Sequence, residues 1–205
     1  EVPDGANHVA FAYSADGKDR FMTVYPNLNL LDGTKDFSGD WDKASLWEND
    51  GTYEGLVVKK ITWPWNGIGK TFTAPKDGVY TFSAYVKSSG NNANTVRINF
   101  LNGSESISLR KTFSSNFDWL RDSITVTLKA NDKVSAIYEM TGSALDSDLW
   151  TAGHKWEEGS TATPWMPSFS EVTASDYPSY IGTYTDNKPN EQSTDPEKYT
   201  WKKIE

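Results

Sequence analysis

"DGVYTFSAYVKSSG", Asp77 to Gly90, alternates apolar and polar residues along most of its length. In an extended chain Tyr80, Phe82, Ala84 and Val86 fall on one face and Thr81, Ser83, Tyr85 and Lys87 on the other. That period of two is the signature of a half-buried strand. The turn words "KDG" and "SSGNN" bound it on either side.

The same grammar repeats outward from this strand. "NTVRINFLNG" reads with Val96, Ile98 and Phe100 inward and Arg97 and Asn99 outward. "ESISLRKTF" aligns Ile107, Leu109 and Phe113. "RDSITVTLKAND" aligns Ile124, Val126 and Leu128, and "KVSAIYEM" follows a turn. Upstream, "YEGLVVKKITW" and "GKTFTAP" read as strands, and "DLWTAGHKWEEG" as the last of the block. Helical periodicity is hard to find. Short strands spaced by roughly 10 residues, with Gly, Asn and Asp turns, predict an all-β chain whose middle is a jelly-roll β-sandwich.

The ends break this rhythm. "HVAFAYSADGKDRFMT" is a strand followed by a turn, and "SYIGTYTDNKPNEQSTDPEKYTWKKIE" holds two short strands around a polar loop. A lone hairpin is marginal in water, whereas three strands approach independent stability. The two ends are therefore expected to pair as one small β module. The expected layout is residues 1–27 and 171–205 for that module, with residues 28–170 inserted as the sandwich, an insertion of the kind exposed turns tolerate.

Composition narrows the function. A net charge of -8 and no basic run argue against nucleic acid, whose phosphates need clustered cations. No stretch approaches the roughly 18 apolar residues of a membrane helix, and no secretory signal stands at the start. The abrupt opening "EVPDG" is compatible with a fragment of a longer protein. Cysteine is absent, which excludes disulfides and thiolate chemistry. Aromatics make up 14% of the chain, more than a core of this size is expected to hide, so some rings should face water.

"FAYSADGKDRF" and "YIGTYTDNKPNEQSTDPEKYTWKKI" together resemble the two halves of a small module in tail and baseplate proteins of phages infecting Gram-positive bacteria. In that module the halves run almost directly into one another. Here an insert of roughly 145 residues beginning at "NLNLLDGTKDF" stands between them, a departure that fits the insertion layout. The insert resembles a jelly-roll carbohydrate-binding module, through its opening "NLLDGTKDFSGDW" and its closing "HKWEEGSTATPWMPS". The resemblance implies a virion component of the tail tip or baseplate, an accessory baseplate or expanded distal tail protein. Its implied partners are host cell-wall polysaccharide and other tail and baseplate proteins. The alternative is a structural spacer or protein-docking module that binds no sugar.

Sugar recognition needs flat aromatic faces against pyranose C–H patches and planar polar groups against hydroxyls, preformed to limit ordering costs. "ITWPWNGIG" offers Trp63 and Trp65 about Pro64, which restricts its own φ and the preceding residue. Asn66 adds an amide. "SGDWDKASLWENDGTYEG" adds Trp41, Trp47 and Tyr53, read as a long polar loop, with Trp41 or Trp47 able to fold back as a lid on the core. Trp119 and Trp150 sit at strand ends. The outward strand face contributes Tyr85, Lys87, Arg97, Asn99 and Arg110 as a second platform. The ligand-binding set is Trp63, Trp65, Asn66, Trp47, Tyr85, Arg97 and Trp119.

Asp40, Asp42 and Asp50 are the candidate ligands of a structural calcium, since calcium prefers carboxylate oxygens from flexible loops. The spacing lacks the EF-hand pattern. No pair of carboxylates is marked out for glycoside hydrolysis, and no nucleophile elbow accompanies His8 or His154. His154, on a strand, reads as a hydrogen-bonded core or rim residue. The chain is read as non-catalytic.

Overall fold

Alternation becomes structure along most of the chain. A computed structural model describes residues 5–143 and 145–205, and among these the regular structure is strand, with single 3₁₀ turns and no α-helix. No helix among them is long and apolar enough to cross a membrane. The strands are β1 (Ala6–Ala12), β2 (Glu48–Tyr53), β3 (Leu56–Ile61), β4 (Phe72–Thr73), β5 (Gly78–Ser89), β6 (Thr95–Leu101) and β7 (Ser104–Glu105). They continue as β8 (Lys111–Thr112), β9 (Phe117–Leu128), β10 (Lys133–Met140), β11 (Asp148–Glu158), β12 (Tyr180–Asp186) and β13 (Thr200–Lys203).

The chain divides into two compact units. One takes the N-terminal residues up to Asn27 together with Glu171–Glu205; the other is Leu28–Ser170. Residues 1–4 lie outside the described residues. In the first unit the chain ends pair as expected: β12 lies between β1 and β13, all antiparallel. Trp201 is its keystone. A Cβ added at Gly17 or Gly182 would meet the Trp201 indole at 2.1 and 2.9 Å, so both glycines let the ring lie against backbone. Phe21 and Tyr199 crowd the same ring, and His8 stacks on Tyr184 at 4.5 Å.

The second unit is a sandwich. One sheet runs β2-β3-β11-β5-β9; the other runs β4-β10-β6-β7, with β8 also on β6. Tyr80, Phe82, Ala84 and Val86 of β5 face Ala136, Tyr138 and Met140 of β10 across a core completed by Trp156 and Leu149 of β11. In β11 the register shifts between Ala152 and Lys155, where Gly153 has φ +65°. The bulge rephases the strand. His154 then meets the core rings of Phe37, Trp41, Phe82 and Tyr138, while Lys155 and Glu157 face outward beneath the segment around Thr163.

Three sequence expectations are corrected. β6 is turned over: Arg97 pairs in register with inward Tyr138, and Asn99 with Ala136, so both face the core. Arg97 is 3% exposed, and its guanidinium meets Asp122 Oδ2 at 2.6 Å, Asn99 Oδ1 at 3.0 Å and the Leu109 carbonyl at 3.1 Å. Polarity alone places arginine outside, but a fully bonded cation facing a buried carboxylate can stay in. Secondly, the polar loop before "YEGL" contains β2. Glu54 and Gly55, at φ +50° and +79°, form the two-residue hairpin joining it to β3. Thirdly, "ESISLRKTF" is not one strand: it breaks into β7, a 3₁₀ turn over Ile107–Leu109 and β8, which leaves Ile107 exposed.

Candidate functional site

Two aromatic surfaces stand out on the sandwich unit. The first is a ridge made by "WPWN". Trp63 and Trp65 are 58% and 50% exposed, the only exposed tryptophans among the described residues. Their backbone is fixed. Trp65 donates its N–H to the Met140 carbonyl at 2.7 Å, and the Asn66 carbonyl accepts the Trp47 indole N–H at 2.8 Å. Asn66 Nδ2 reaches back to the Pro64 carbonyl at 3.2 Å, and the Glu139 carboxylate accepts from Gly67 N–H. Burial raises the Glu139 pKa. Trp65 and Asn66 both adopt left-handed φ, +63° and +60°. Strain of this kind on non-glycine residues persists only where surrounding bonds hold it, and it clusters at functional positions.

Hollows flank the ridge. One, of about 370 Å³, is lined by Leu46, Trp63, Pro64, Trp65 and Asn66. Another, of about 500 Å³, lies between Trp47, Glu48, Lys60, Thr62, Trp63 and Leu145. Leu46 and Leu145 are themselves exposed, so the rim is apolar beside the indoles.

The second surface is the outward face of the sheet containing β5. Tyr53 stacks on Trp119 at 4.4 Å, and Tyr85 meets Tyr53 edge-on at 5.0 Å. Beneath them lie Leu56, Val58 and Ala152, with Trp150 in the same cluster. The Trp150 indole N–H donates to Asp50 Oδ2 at 2.7 Å, and the ammonium groups of Lys87 and Lys60 lie 4.9 and 5.5 Å from its ring. Burial lowers the Arg121 pKa, and Arg121 is anchored by Ser83 and the Thr163 carbonyl. The platform is thus a set of half-buried rings among charged groups.

The structure sorts the sequence candidates into three places. Trp63, Trp65 and Asn66 make the ridge, and Tyr85 and Trp119 share the sheet face. Trp47 is a lid: 5% exposed and part of the core, it supports Asn66 from below, and Trp41 is buried too. Arg97 is inside the sandwich. Tyr53 and Trp150 join the platform although neither was placed there from sequence; the hairpin that lifts Tyr53 onto the face was read as loop. Asp40, Asp42 and Asp50 do not converge. Among the described residues no three His, Cys, Asp or Glu side chains gather as a metal site, and Asp50 serves Trp150 instead.

The chain thus carries an all-β sandwich between paired ends, with two exposed indoles on it. No protein-family model matches the chain, and no curated protein is significantly similar to it. Among solved structures the chain is similar over its whole length to the tripod (BppUct-A-L) from the baseplate of bacteriophage Tuc2009. The TM-score is 0.67 at 28% identity, covering 100% of this chain and 80% of that one. The likeness to phage baseplate proteins carried by the end motifs is thereby borne out. TmCBM61, solved with β-1,4-galactotriose, overlays at TM-score 0.49 and 10% identity, covering 65% of this chain and all of the other. The CBM22-1 xylan-binding domain of Paenibacillus barcinonensis Xyn10C overlays at 0.41 and 16%, covering 57% of this chain and 81% of that one. Neither of these two bears on what this chain binds.

Proposed function

We propose that the chain is a non-catalytic component of a phage baseplate that adheres to saccharides of the host cell wall, using the Trp63–Trp65 ridge and Asn66. It works on the virion, at the tail tip. The observation that carries the reading is two indoles left half in water, Trp63 and Trp65, on a segment whose Trp65 and Asn66 are held in left-handed φ. Each ring forgoes about 1 kcal/mol or more of burial. A flat C–H face of a pyranose recovers that, and the rigid backbone avoids an ordering cost on binding. The Tyr53–Tyr85–Trp119 platform is a second surface of the same chemistry on the same unit.

The test is adhesion of the folded protein, displayed in many copies, to cell-wall polysaccharide from the Gram-positive host. Trp63→Ala and Trp65→Ala, together, should abolish adhesion and leave the melting temperature within a few degrees. Retained adhesion in the double variant would remove the ridge from the reading, and no adhesion by the parent would remove the reading altogether.

A second reading has its own observation. Leu46 and Leu145 extend the ridge into an exposed apolar rim, the kind of surface that marks protein contact. Here the ridge docks another baseplate protein and the sheet face alone meets sugar. Leu46→Ser with Leu145→Ser separates the two: lost assembly with intact sugar adhesion supports docking.

A further inference from the structure

Where the two sheets part, between edge strand β9 and the β6–β7 hairpin, lies a hollow of about 280 Å³. It is lined by Asn99, Leu109, Val126, Leu128, Val134 and Trp156, so its walls are chiefly apolar. It belongs neither to the ridge nor to the outward sheet face. Its lining comes from β6, β9, β10 and β11, four strands of the rigid sandwich, and from the 3₁₀ turn that ends at Leu109.

Among the described residues, two donors on side chains that line this hollow have no protein acceptor. Trp156 is 1% exposed, and its indole Nε1–H is buried without a hydrogen-bond partner, although the ring is held against Phe72 and Phe82. Asn99 Oδ1 accepts from Arg97 Nε–H at 3.0 Å. Because the guanidinium can only donate, that bond fixes the amide orientation, leaving the Asn99 Nδ2 hydrogens as donors. A buried donor without an acceptor is costly, and indole N–H groups in cores usually find a partner. Leaving one at the wall of an apolar hollow has a natural use: it reads an acceptor oxygen on an otherwise apolar guest.

We propose that this inter-sheet hollow binds a small, monocyclic-sized apolar molecule or group bearing one carbonyl oxygen, which accepts from Trp156 Nε1–H and Asn99 Nδ2. A polyhydroxylated sugar is the wrong guest: of the lining hydroxyls, Ser106, Thr125 and Thr127, that of Thr125 is already bonded to Thr81 and the Ser160 carbonyl, and the rest are too few to replace the water a sugar would lose. A charged guest is also excluded: buried Asp122 already balances Arg97, and the hollow offers no further counter-ion.

Acetophenone and ethylbenzene test this, because they share shape and size and differ in the carbonyl. In ¹⁵N-labelled protein, the Trp156 indole N–H signal is assigned by single Trp→Phe variants at the other tryptophans. Acetophenone should move that signal and the Asn99 side-chain amide signals saturably. Ethylbenzene should bind about tenfold or more weakly, the worth of one buried hydrogen bond. Leu109→Trp, at a half-exposed turn where bulk can be absorbed, should plug the hollow and abolish the shifts while the remaining spectrum persists. Asn99→Leu is a second variant, expected to lower acetophenone affinity and spare ethylbenzene. Equal affinity for both probes, no saturable shift with either, or shifts that survive the Leu109 plug would each overturn the proposal. So would a crystal structure, grown with acetophenone, in which only water sits on Nε1.

Discussion

At the scale of single residues, strain and burial make sharp forecasts. Trp65 holds φ +63°, which costs a residue with a Cβ about 1 kcal/mol or more. Trp65→Gly removes that strain but frees the unfolded chain by about 0.5–1 kcal/mol. The two nearly cancel, so denaturant unfolding should change by less than about 1 kcal/mol while adhesion is lost. A structural tryptophan would instead cost about 3–5 kcal/mol on truncation. His154 offers a pH forecast. It is 1% exposed among aromatic rings, and burial pushes its pKa from 6.5 down to about 3. The folded state thus binds fewer protons than the unfolded state between those values. The stabilisation is complete above pH 6.5 and drains away as pH falls towards 3. Urea unfolding at pH 7 and pH 5 should show the parent losing about 2 kcal/mol more than His154→Gln, which keeps a polar group near Thr151 but cannot titrate. Equal losses in both proteins would mean that the imidazole takes its proton without unfolding.

At the scale of elements, the segment after β11 is latched to the sheet it covers. Lys155 and Glu157 are both fully buried, with Nζ 3.3 Å from Oε2. Lys155 donates to Thr163 Oγ1 and the Pro164 carbonyl at 2.8 Å each, and Glu157 accepts from Thr163 N–H at 3.1 Å. Lys155→Met strands a buried carboxylate and should cost about 3–5 kcal/mol, whereas Lys155→Met with Glu157→Leu should recover most of it. A thermodynamic cycle on the two variants measures the coupling, and a double variant as weak as the single one would refute it. The latch also shows what the sequence could not disclose. "KWEEG" was legible as the closure of the sandwich, but alternation across β11 is rephased at Gly153, a shift with no local mark beyond one glycine. β5 and β10 were legible because their apolar period is unbroken, and β9 was legible over Ile124, Val126 and Leu128, where the period holds past the inward Asp122. β6 was not, because Arg97 and Asn99 are inward polar residues, and the carboxylate that holds Arg97 there, Asp122, lies 25 residues away and on the other sheet. The ridge was legible from "WPWN" alone. The sheet platform was only half so, since Tyr53 depends on a hairpin whose turn residues, Glu54 and Gly55, hardly announce it.

At the scale of the whole chain, insertion has a physical consequence for binding strength. The sandwich unit begins and ends side by side: Asn29 N–H donates to the Pro167 carbonyl, and Asn29 bridges Ser168. Its entry and exit are thus tied within its own fold, and its core lies among its own residues. A fragment of residues 28–170 is therefore expected to fold alone, with the same amide spectrum for its core strands as the full chain. The end segments, rejoined by a short glycine linker in place of 28–170, should keep the β1-β12-β13 sheet pinned by Trp201. An aggregated or molten fragment would show that the sandwich leans on the ends. If the fragment folds, it isolates the binding unit as a single copy, and its contact with sugar should be weak, since a shallow ridge immobilises few groups. Coupled in several copies to one scaffold whose spacing the wall polymer can span, the same fragment should gain 10²–10⁴-fold in apparent affinity without any new contact. Surface plasmon resonance on immobilised wall polysaccharide measures both forms. A multivalent form no tighter than the single fragment would mean that the sites cannot engage one polymer together, and that adhesion does not arise from repetition of this unit.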